Sequence, residues 1–72
     1  MQDELAPVVE VVVTLFQTLN VPQQEEMVLS LRRGDSAALD TLIAKLTTFG
    51  YQLESLDLAD LRARVTKRLL GN

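Results

Sequence analysis

The 72-residue chain holds no cysteine, histidine or tryptophan, and ten acidic side chains against seven basic ones give a formal charge of −3. That inventory excludes a disulfide scaffold, thiolate metal sites and thiol or imidazole catalysis, and it provides no general attraction to phosphate backbones or anionic lipid. With 47% hydrophobic and 24% charged residues, the composition is that of one folded domain spanning residues 1–72, at a size where a single core gives only ~3–5 kcal/mol of stability.

Met1-Gln2-Asp3-Glu4 lacks the positive charge that opens a secretory signal. The longest apolar stretch, Leu5 to Phe16, contains Glu10 and is shorter than the roughly 20 residues of a bilayer span. The chain is therefore expected to be soluble and cytoplasmic, without a membrane partner.

The spacing predicts an all-α bundle of four short helices, at about 4–19, 22–33, 36–49 and 56–70. The valines of the first segment favour a strand. However, Leu5, Val8, Val9, Val12, Phe16 and Leu19 recur at helical spacing, the segment is long for a strand, and no second strand-like run could pair with it. Asp3 is suited to cap this helix, Pro7 is tolerated in its first turn, and Asn20-Val21-Pro22 separates it from the next. Helix 2 starts with Pro22, places Glu25 and Glu26 where negative charge meets the dipole, and turns Met27, Val28 and Leu31 inward. Arg32 and Arg33 close it before Gly34.

Asp35 or Ser36 caps helix 3, whose inner stripe is Leu39, Leu42, Ile43 and Leu46, with Gly50 as its stop. Phe49 and Tyr51 flank that glycine and are expected to fill the gap between helices 3 and 4. Ser55 caps helix 4, which carries Asp57 and Asp60 early, Arg62, Arg64, Lys67 and Arg68 late, and a stripe of Leu58, Leu61, Val65 and Leu69. Leu56 and Leu70 share a different face with Ala63, either a second contact strip or an edge of the core.

Helix 1 carries the most informative pattern. Val13 widens its apolar arc on one flank and Val11 and Leu15 on the other, to roughly 200°, about twice what a surface helix needs. Either it runs through the centre of the domain or its outer side meets another chain. A chain this small has little material to enclose one of its own helices, and a twofold homodimer is the commonest cover for an apolar strip. The reading is a non-enzymatic interaction module, a small regulator, adaptor or subunit, that self-associates through Val8, Val11, Val12, Leu15 and Leu19.

The alternative is a small helix-turn-helix-like regulator that binds nucleic acid through Arg32, Arg33, Arg64, Lys67 and Arg68. It is disfavoured, because Arg64 and Lys67 point outward beside Asp57 and Asp60, and Asp60 and Arg64 are spaced to pair. The face that helix 3 would offer to bases, with Ala37, Asp40, Thr41, Ala44, Lys45 and Thr48, holds a single cation. Arg33-Gly34-Asp35 spells an adhesion tripeptide, but a helix stop followed by a cap accounts for it. No serine or threonine has a base at catalytic spacing, and no glycine loop or ligand cluster suggests phosphate, cofactor or metal. No small-molecule substrate is expected.

Overall fold

The computed structural model describes residues 3–71. Among these residues are four α-helices, α1 (Leu5–Gln17), α2 (Val21–Arg32), α3 (Ala37–Ala44) and α4 (Leu58–Leu70), with 3₁₀ turns at Lys45–Phe49 and Leu53–Ser55 between the last two. No strand occurs among the described residues. The molecule measures 34 × 25 × 17 Å.

One core joins all four helices. Leu5, Val8, Val9, Val12 and Val13 of α1 meet Met27 and Leu31 of α2, Leu39, Leu42 and Ile43 of α3, Leu46 of the 3₁₀ turn, and Leu61 and Val65 of α4. α1 packs chiefly on α4 and then on α3, while α2 touches both α3 and α4. Asp3 pairs with Arg64 and Glu10 with Arg68. Contacts therefore advance together along α1 and α4, which run in the same sense.

Local chemistry sets the boundaries. The Leu5 N–H donates to Asp3 Oδ1 (3.2 Å), the Gln23 N–H to Asn20 Oδ1 (2.9 Å) and the Ala37 N–H to Asp35 Oδ1 (3.0 Å), so each helix start has a side-chain acceptor. The Gln24 side chain donates to the Leu19 carbonyl (2.9 Å), satisfying an acceptor just past the end of α1 from the neighbouring helix. Gly34 and Gly50 hold φ of 81° and 90°. At each, two N–H groups fold back onto the preceding turn: Asp35 to Ser30 and Gly34 to Leu31, then Tyr51 to Leu46 and Gly50 to Thr47.

Three expectations change. The third helix does not continue to 49: Thr47 and Thr48 donate their hydroxyls to the Ala44 (2.9 Å) and Lys45 (2.6 Å) carbonyls, three residues back, which fits the tighter 3₁₀ turn. Ser55 does not cap α4, because its hydroxyl is used inside the second 3₁₀ turn, on the Gln52 carbonyl. The cap is Asp57, whose Oδ1 accepts the Asp60 N–H (3.1 Å). Glu25 and Glu26 sit beyond the first turn of α2, where the dipole has largely faded.

Candidate interaction surface

Of the five residues proposed for an interface, two are corrected outright. Val8 is 4% exposed and Val12 fully enclosed, so the chain's own core consumes them and neither is available to a partner in this fold. The chain hides ~140° of the helix 1 arc, from Val8 round to Val13, because α3 and α4 lie against it on two sides. Leu19, half-buried, lies elsewhere, in a cleft between α2 and α3 with Met27, Ala38 and Leu42.

Val11 and Leu15 remain together at the edge of the arc, both half-buried. Beside them lies Phe49, 60% exposed. Its expected place in the gap between helices 3 and 4 is corrected by the backbone: the left-handed turn at Gly50 brings Tyr51 back over Leu46, and the tyrosine packs against the core instead. Phe49 is left outside and forms, with Val11 and Leu15, a shallow apolar depression bordered by Glu10 and Thr14. Of the second leucine strip, Leu56 and Leu70 pack at the core edge while Ala63 is exposed.

A second apolar surface was missed in the sequence. Val21 is 64% and Leu29 54% exposed on α2. Leu29 borders a groove with Val28 of the same helix, Phe16 of α1 and Leu69 of α4, flanked by Gln24 and Glu25. The available signal was angular: at 100° per residue Leu29 projects ~160° away from Met27 and cannot share its buried face.

The basic residues of α4 are dispersed and mostly neutralised. Arg62 reaches Asp40 on α3, Arg68 reaches Glu10 on α1, and Arg64 is held between Asp3 and Asp60, the latter at 3.0 Å as its spacing implied. Hydrogen bonding from Arg64 and Arg68 holds the Asp3 and Glu10 carboxyls below their ordinary values. Arg32, Arg33 and Lys67 are exposed and have no ion-pair partner among the described residues. Gly34 is taken up by the stop of α2 and the Asp35 carboxylate by the cap of α3, as read from the tripeptide.

No buried side-chain nitrogen or oxygen among the described residues lacks a hydrogen-bond partner, and none of their carboxylates gather into a metal-binding group. No helix is long and apolar enough to cross a membrane among them. Comparison with protein-family models, curated proteins and solved structures finds no match.

Proposed function

We propose that the protein is a non-enzymatic interaction module, a small helical regulator, adaptor or subunit of the cytoplasm, which self-associates through the outer edge of α1. The observation that supports this reading is the grouping of Val11, Leu15 and the exposed Phe49. Three apolar side chains from two segments border one depression, and an aromatic ring at the centre of such a patch is a typical anchor for a partner. The interface is smaller than the sequence suggested, since Val8 and Val12 are withdrawn from it.

The nucleic-acid alternative gains no support. Two of its three α4 cations, Arg64 and Arg68, are tied to carboxylates, and a phosphate would have to displace Asp3, Asp60 or Glu10 to reach them.

Val11→Asp tests the proposal. A carboxylate at this half-exposed position leaves the helical circular-dichroism spectrum intact but lowers the mass of the assembly in sedimentation equilibrium. An identical mass for parent and variant, across concentrations at which the parent associates, overturns the α1 edge as the interface.

A further inference from the structure

The exposed face of α2 combines apolar and charged groups in an order that matches itself. Val21, Glu25, Val28 and Arg32 follow the spacing i, i+4, i+7, i+11 and so form one stripe along the helix, with Leu29 beside it. Val21 and Leu29 are more than half exposed, and Glu25 and Arg32 are exposed with no ion-pair partner among the described residues. Glu25 and Arg32 stand seven residues apart, about 10 Å along the axis, too far to pair within one helix.

We infer that this stripe docks on the same stripe of a second copy of the chain, antiparallel about a twofold axis that passes between Val28 and Leu29. In that register Glu25 of each copy faces Arg32 of the other. The symmetry makes both ion pairs at once, and at the centre Val28 of each copy meets Leu29 of the other. An apolar centre with charges at its two ends is the usual anatomy of a twofold interface. The groove formed by Phe16, Val28, Leu29 and Leu69 is continuous with the stripe and offers further apolar surface to the second copy. A partner of uniform charge would oppose either Glu25 or Arg32, whereas a second copy of this chain satisfies both.

The inference goes beyond the α1 edge, because it gives each chain two separate twofold faces and assemblies larger than a dimer. Sedimentation equilibrium in a Val11→Asp background isolates the α2 face. There the protein forms dimers; Glu25→Arg or Arg32→Glu weakens them at least roughly tenfold by opposing like charges. An equimolar mixture of the two charge variants dimerises again, as does the chain carrying both changes. Each variant is checked for unchanged helix content, and Phe49→Asp replaces Val11→Asp if the latter unfolds.

If the Val11→Asp chain is a single copy at every concentration, the α2 interface is overturned while the α1 proposal stands. If Glu25→Arg and Arg32→Glu dimerise like their background, or their mixture does no better than either alone, the register is wrong. If Val11→Asp leaves the mass unchanged and the charge variants lower it, α2 is the interface and the α1 proposal falls. A parent that is a single copy throughout overturns both.

Discussion

Burial at single positions separates stability from association. Leu39, Leu46, Leu61, Val12 and Val65 are fully enclosed, so Leu39→Ala costs about 2–5 kcal/mol through lost contacts and a cavity. In a domain of this size that removes most of the cooperative urea transition; an unchanged midpoint contradicts the core assignment. Gly50 has open space around its Cα but a φ of 90°, so Gly50→Ala costs ~1 kcal/mol through backbone strain alone. Phe49→Ser, at a position turned away from the core, changes the unfolding free energy from urea titration by less than ~0.5 kcal/mol while weakening self-association. A large loss of stability from Phe49→Ser would show that the ring supports the fold after all. The leucine and valine stripes were legible because helical spacing reports burial directly. Phe49 was not, because its direction follows from the left-handed turn at Gly50 and from which neighbouring aromatic that turn returns to the core.

At the scale of elements, helix identity followed from periodicity, and the boundaries followed less well where two capping residues compete. Ser55 and Asp57 both suit a cap, and Asp57-Leu58-Ala59-Asp60 carries the spacing that decides it. Pairing between elements was legible only within α4, for Asp60 and Arg64, since Asp3–Arg64 and Glu10–Arg68 depend on α1 and α4 running side by side in one sense. Those two carboxyls are lowered by hydrogen bonds from their arginines. Their stabilising effect is therefore complete above the ordinary carboxylate range and is lost as pH falls through and below it. Thermal melts from pH 7 to pH 3 show a falling midpoint, and the Asp3→Asn, Glu10→Gln double variant shows a shallower fall. Both ion pairs are exposed, so the effect is small and diminishes with salt. Equal slopes for parent and double variant would remove these pairs from the account of α1–α4 docking.

For the whole molecule, most of the apolar surface of α1 is taken up by the chain's own core. The wide arc of α1 required cover on two sides, and α3 and α4 provide most of it. A helix of valines can be largely internal even in 72 residues when two others cover its long side. The surplus that remains lies at Val11, Leu15 and Phe49 and, on α2, at Val21 and Leu29. The second surface was hidden in the sequence because α2 has apolar residues on several sides, so that no single face stands out. Sedimentation equilibrium over a dilution series tests self-association most directly. A mass that rises with concentration above the 8.0 kDa of one chain, and a lower mass for Val11→Asp, is the expected result. A constant 8.0 kDa at every concentration contradicts it.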